Sequence, residues 1–320
     1  MPGHSRGRTI LCSLVLAAGG VLVAAPSGTA DPGVAAAPIV HRLRVHDKAA
    51  VNYAYWTRYA DLRRVRTGFT GSVLGCLPGT DSPASLTATM RAINLMRGLN
   101  HLDPVTFSAR LNDRSMLTAL MIAANRTLSH YPDQSWLCYT RAGARNAADS
   151  NLAYRYPRIN PVGVVRMYMT DDGAENRSVG HRRWLLYPFT TTMGSGTTHT
   201  TNAMHVRGDT TRTRHNPAWV SWPSRGWFPA PLVPGRRWSL SSGHRHADFS
   251  HARVRVHRNG HRVRVSRIAA GDRYGMPTVV WHLHERIHPR ATYHVVVRNV
   301  RIHGRSVDRS YWVELFRPRR

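Results

Sequence analysis

Ser129 and His130 place a hydroxyl beside an imidazole, the two groups from which a nucleophile and its base are made. Adjacent side chains rarely meet in the geometry such a pair needs, and an orienting acid is also required. The chain has neither a Gly-x-Ser-x-Gly elbow nor a His-Glu-x-x-His motif to accompany them. His282-x-His284 could set two imidazoles on one face of a strand, but among 19 histidines that spacing is expected by chance. Asp171-Asp172-Gly173 lacks the remaining ligand positions of a calcium loop and reads as a helix-ending turn. These motifs identify no reaction.

Charge is the stronger compositional signal. Forty-five Lys+Arg against 17 Asp+Glu give a net +28, which excludes an acidic or neutral surface. Lys48 is the only lysine, so the excess is arginine and reflects either function or codon usage. From His251 to Arg320 there are 16 arginines and four acids. Within that region Arg253-Val254-Arg255-Val256-His257 and Arg262-Val263-Arg264-Val265 flank an Asn259-Gly260 turn, a strong hairpin signal. A two-residue turn sets Arg255 opposite Arg264 and His257 opposite Arg262, an unfavourable pairing that a polyanion would relieve. Anionic cell-wall polymer, lipid headgroups and extracellular nucleic acid all fit Arg253, Arg255, Arg262 and Arg264. The alternative is a solvated arginine-rich strand face. No nucleic-acid-binding motif is present, so sequence-specific readout is not expected.

At 320 residues and 42% hydrophobic content the chain can bury a core in two regions. Arg6 and Arg8, the apolar run Ile10 to Ala25, and Ser27-Gly28-Thr29-Ala30 read as a secretory signal peptide over 1–30, with a mature start at Asp31. No later stretch is apolar enough to span a membrane. Setting aside Cys12 in that leader, Cys76 and Cys138 form an even pair in an exported chain and read as one disulfide. Free or metal-binding thiols are the alternative.

Several elements must position these groups. Residues 31–80 form an N-terminal extension with a short helix over Ala49 to Arg66. Ser82-Pro83 starts a helix with Leu86, Met90, Ile93 and Met96 at helical spacing. Ser108 caps a second, and Asn160-Pro161 starts a third that stops at Asp171. Trp184-Leu185-Leu186-Tyr187 and later runs suit strands. Residues 81–222 thus read as helices on a modest sheet, and the prolines of 223–235 as a linker. Residues 236–320 have period two, with strands at Val279 to His284, Tyr293 to Arg298 and Tyr311 to Phe316, indicating a small Ig-like β-sandwich.

Arg91-Ala92-Ile93-Asn94-Leu95-Met96-Arg97, Leu128-Ser129-His130, Ser150-Asn151-Leu152-Ala153 and Val179-Gly180-His181-Arg182-Arg183-Trp184 resemble, in order and spacing, the bacterial branch of the CAP superfamily (cysteine-rich secretory, antigen 5 and pathogenesis-related proteins). Ser129-His130, Cys138-Tyr139-Thr140 and Gly180 to Pro188 resemble one secreted actinobacterial subgroup. The resemblance covers roughly 71–222 and implies an α+β fold with a three-layer α-β-α sandwich. It also implies a cleft with two histidines and two acids, which in some relatives binds a divalent metal. By position the histidines are His130 and His181, and one acid is Asp171. The other falls on Ser150, which is not acidic; Asp149 is adjacent, but one step along a helix turns about 100° away.

The resemblance therefore suggests that His130, His181 and Asp171 could hold zinc with water in an open position. On the main expectation the chain is a secreted, non-catalytic protein. Its cleft of His130, Ser150, Asp171 and His181 binds a metal or small ligand, and its basic β-region adheres to anionic polymers. A hydrolase using Ser150, Asp171 and His181 is the alternative, as is a polyanion binder with a vestigial cleft. Arg182 and Arg183 would favour an anionic ligand if they faced the cleft. Otherwise they face outward or pair with Asp171, Asp172 or Glu175.

Overall fold

Ser82 ends an extended segment, and its hydroxyl accepts the Ser85 N–H at 3.1 Å. With Pro83 in the first turn, that cap starts a 16-residue helix. It belongs to a computed structural model that describes residues 42–271 and 273–320. The leader expected over 1–30, and the extension up to residue 41, lie outside the described residues. In chain order the helices are α1 (Lys48–Tyr55), α2 (Pro83–Gly98), α3 (Ala109–Asn125), α4 (Arg141–Ala148), α5 (Pro161–Thr170) and α6 (Gly180–Leu185). One π turn and one 3-10 turn continue α1 as far as Arg64.

The first sheet has strand order β1-β3-β4-β2, built from β1 (Thr106–Phe107), β2 (Ser150–Tyr154), β3 (Thr192–Thr197) and β4 (Thr201–His205). Every residue of β4 is buried, which requires cover on both faces. On one face α3 lies against Gly194 and Gly196, where a Cβ on Gly196 would fall 2.1 Å from the Met116 nitrogen. Thr201 donates from the same face to the Ala119 carbonyl of α3. On the other face Tyr168 of α5 donates its hydroxyl to the Asn202 side chain at 2.9 Å. Helices thus sandwich the sheet.

Asp81 holds α2 to this sheet. Its carboxylate accepts from the Thr197 N–H at 2.9 Å and from the Ser85 hydroxyl, and burial pushes its pKa up to about 7. Between about pH 4 and about pH 7 the unfolded chain releases this proton while the folded chain keeps it. Stability relative to Asp81→Asn is therefore expected to fall across that window and to level off above it. Paired urea midpoints at successive pH values check this, and parallel profiles would overturn it.

Nine further strands follow: β5 (Trp219–Trp222), β6 (Gly226–Pro229), β7 (Arg237–Ser242), β8 (Arg253–Arg258), β9 (His261–Val263), β10 (Val265–Ile268), β11 (Thr278–Leu283), β12 (Thr292–Ile302) and β13 (Arg305–Phe316). They form two sheets of order β10-β11-β7-β5 and β6-β13-β12-β8-β9. Trp238 on β7 meets Tyr293 on β12 edge to face at 5.1 Å, so the two sheets pack on one core. That core is continuous with the apolar residues of α2 and α5. The fold is α+β, with a sandwich-like pair of sheets after the helical region.

Three sequence expectations change here. The proline-rich stretch 223–235 is no bare linker: its Gly226–Pro229 segment runs parallel to β13, and Phe228, Leu232 and Val233 are buried. Trp184 and Leu185 lie in a helix rather than a strand. Arg97, itself buried, donates to the carbonyls of Leu185 and Tyr187 at 2.9 and 3.0 Å and so satisfies the helix end. The Asn259-Gly260 turn and the His257–Arg262 pairing form as expected, but the ladder ends at Val256–Val263. The Arg264 carbonyl accepts from the His284 N–H, just past β11, so the expected Arg255–Arg264 pair does not form, and the ladder partner of Arg255 is Val296 on the β12 side.

The N-terminal segment docks on the β-region. Trp227 donates its N–H to the Val45 carbonyl, Lys48 lies 4.7 Å over the Trp227 ring, and Asn52 exchanges two hydrogen bonds with the Arg319 backbone. Arg320 pairs with Asp61.

Candidate functional site

Helix α3 ends where Arg126 turns into the left-handed region, and the chain then runs to His130. Asn125 grips Leu137 through both its backbone N–H and its carbonyl. The expected Cys76–Cys138 disulfide is present and fastens the same loop to residues 71–79. The His130 Nδ1 lies 2.8 Å from the Ala147 carbonyl. A carbonyl only accepts, so Nδ1 carries the hydrogen and Nε2 is the nitrogen left for a ligand.

Helix α5 starts at Asn160, whose side chain accepts from the Gly163 N–H, and stops at Asp171 in the left-handed conformation. This turn buries the Asp171 carboxylate. Its Oδ1 accepts from His181 Nδ1 at 2.8 Å, and its Oδ2 accepts from the Arg182 N–H. The His181 ring stacks on Tyr168 at 5.3 Å, while Asn151 donates to the His181 carbonyl. Asn151 and Tyr168 were not singled out in the sequence. The Asn-Leu-Ala run after Ser150 was the available signal for Asn151.

His130 and His181 line one open cleft of about 900 Å³. Leu128, Leu152 and Met167 give it apolar wall, and Arg63, Arg155, Arg166, Asp172 and Glu175 give it charge. The structure thus gathers the two histidines, 51 positions apart in the chain.

Ser150 does not join them. It opens β2 instead of lying on a helix, and its hydroxyl donates to the Asn146 carbonyl at 2.7 Å while accepting from the Asn146 amide. With its proton committed there, Ser150 makes no nucleophile for His181. Asp149 caps α4 and pairs with Arg207 at 3.2 Å. Asn146 also takes a hydrogen bond from His205, so Ser150 belongs to a buried polar network.

The donor set does not fit zinc. A zinc site takes at least three protein ligands, and Asp171 has both oxygens occupied by His181 and the backbone. Among the described residues no three His, Cys, Asp or Glu side chains are grouped to hold a metal. Asp171 instead fixes the ring of His181. His282 and His284 have rings 5.3 Å apart, and His284 Nε2 is bonded to Ser266.

Arg182 and Arg183 neither line the cleft nor face solvent. Arg182 is fully buried and donates to the carbonyls of Met169, Thr170 and Arg237 and to the Ser239 hydroxyl. Arg183 donates to Gly271 and Met276. Arg237 of β7 returns a bond to the Asp171 carbonyl at 2.6 Å. Desolvation lowers the Arg182 pKa to about 10, which leaves it charged at neutral pH. Arg253, Arg255, Arg262 and Arg264 are exposed, on the β-region.

A sheet covered on both faces by helices, with two imidazoles lining one cleft, defines an α-β-α domain with one candidate binding cleft. Residues 90–206 match the family model described as CAP, the cysteine-rich secretory protein family, and the match contains His130, Ser150, Asp171 and His181. No curated protein matches the chain.

Proposed function

We propose that the protein is an exported, non-catalytic member of the secreted actinobacterial CAP group whose cleft binds a small ligand with one polar end and one apolar end. The observation that carries this reading is the fixed orientation of His130 and His181. Each ring spends Nδ1 on the protein and keeps Nε2 for a ligand, while the nearby serine hydroxyl is turned away. Leu128, Leu152 and Met167 suit an apolar body, and Arg63, Arg155 and Arg166 suit a polar or anionic end. Export is supported by the disulfide and by the leader-like first 30 residues. The arginine-rich β-region serves adhesion to an anionic polymer.

Anilinonaphthalene sulfonate, an apolar anion whose fluorescence rises on burial, tests the cleft. One site is expected, weakened about tenfold in His130→Ala/His181→Ala and unchanged in Arg255→Ala. Equal binding by the histidine variant would overturn the reading. Zinc calorimetry on the same pair is expected to show no tight equivalent that depends on these histidines. One such equivalent would restore the metal.

A further inference from the structure

The outer face of the β6-β13-β12-β8-β9 sheet carries a row of exposed and partly exposed side chains. Arg262, His257, His294 and Trp312 are in register across β9, β8, β12 and β13. The rings of His294 and Trp312 stack at 4.2 Å and 14°, and those of His257 and His294 at 6.3 Å and 29°. Trp312 is 54% exposed, although the alternation of β13 buries its neighbours Tyr311 and Val313. Three strand spacings of about 4.8 Å separate Arg262 from Trp312, roughly 14 Å. Arg255 lies one row away, and Arg253 stands opposite Arg298, which is itself paired with Asp308 at 3.7 Å.

We propose that this row binds an anionic polysaccharide, with a sugar ring on the open face of Trp312 and acidic substituents on Arg262 and Arg255. This deepens the adhesion reading above and rests on it. The charge of the row matches a polyanion, and the indole supplies a flat apolar surface for the C–H face of a sugar. Glu314 shares the Trp312 face two residues along β13, and the Ser310 hydroxyl is bonded to His294. Carboxylate and hydroxyl accept from sugar hydroxyls, donors that the phosphates of a nucleic acid do not offer. His294 is enclosed between two rings and Trp312 is the one well-exposed aromatic of the row, whereas single strands are held by successive bases on several such rings. A bilayer would call for more than one exposed apolar side chain.

Full-length protein is titrated with polygalacturonate, polyphosphate and oligothymidylate at low and high salt. Trp312→Ala is expected to weaken polygalacturonate about tenfold and leave polyphosphate nearly unchanged. Arg255→Ala/Arg262→Ala is expected to weaken both. All three side chains are solvent-facing, and unchanged melting temperatures would confirm intact folds. If Trp312→Ala leaves polygalacturonate binding intact while the arginine variant loses both polymers, the sugar-ring proposal fails and the adhesion reading survives. Tighter, Trp312-dependent binding of oligothymidylate would overturn it in favour of single-stranded nucleic acid. No binding of any polyanion at low salt would overturn both.

Discussion

Replacing Arg182 with alanine is expected to lower stability by roughly 3–5 kcal/mol, because the change orphans several buried acceptors at once and leaves a cavity. The guanidinium satisfies three carbonyls and the Ser239 hydroxyl, drawn from both sides of the contact between α5 and β7. Of those acceptors the Met169 carbonyl and the Ser239 hydroxyl are buried, and the other two are partly buried. Arg182→Lys should recover only part of the loss, since one ammonium cannot span positions arranged for a planar fork. Urea unfolding checks both variants, with anilinonaphthalene sulfonate binding as a second readout because Arg182 adjoins His181 on α6 and its N–H donates to Asp171. A loss under about 1 kcal/mol, the worth of one ordinary hydrogen bond, would show that the acceptors find other partners.

Trp238→Ala is expected to cost about 3–5 kcal/mol, the usual range for removing a fully buried tryptophan. Its indole is completely enclosed, packs on Tyr293 and donates to the Gly235 carbonyl at 3.1 Å. More telling is the shape of the transition. The apolar residues of α2, α5, β7 and β12 form one cluster, and Arg182 and Arg237 tie the helical region to β7. Both tryptophan fluorescence and ligand binding in the cleft should therefore be lost in one step at a lower urea concentration. A biphasic curve, with the β-region melting first, would show that the two regions unfold separately.

Local signals in the sequence were read well where they act locally. Ser82 and Asn160 cap their helices through their own side chains, and Asn259-Gly260 turns a hairpin whatever surrounds it. The paired cysteines likewise needed only their number and setting. What could not be read depends on distant partners. A six-residue helix such as Gly180–Leu185 has too few turns for a periodic pattern, and its end is satisfied by Arg97, almost 90 positions away. Arginine is ordinarily a surface residue, so nothing in Arg182-Arg183 announces a buried clamp. Ser150 was placed beside the histidines by resemblance alone. The hydrogen bonds that turn it toward Asn146 follow from the start of β2 and are invisible to motif matching.

The bonds between Asn52 and Arg319 join residues 267 positions apart. At ordinary synthesis rates of about 5–20 residues per second, roughly 15–50 s elapse between the emergence of one and the other. For about the first two thirds of that interval α1, with Val51 and Tyr55 on its buried face, has no β6 to rest on, and the tail that bonds Asn52 arrives last. A chain made in N-to-C order forms its first helix early and completes the docking of that helix late. The closing of the fold is thus timed by the arrival of its tail.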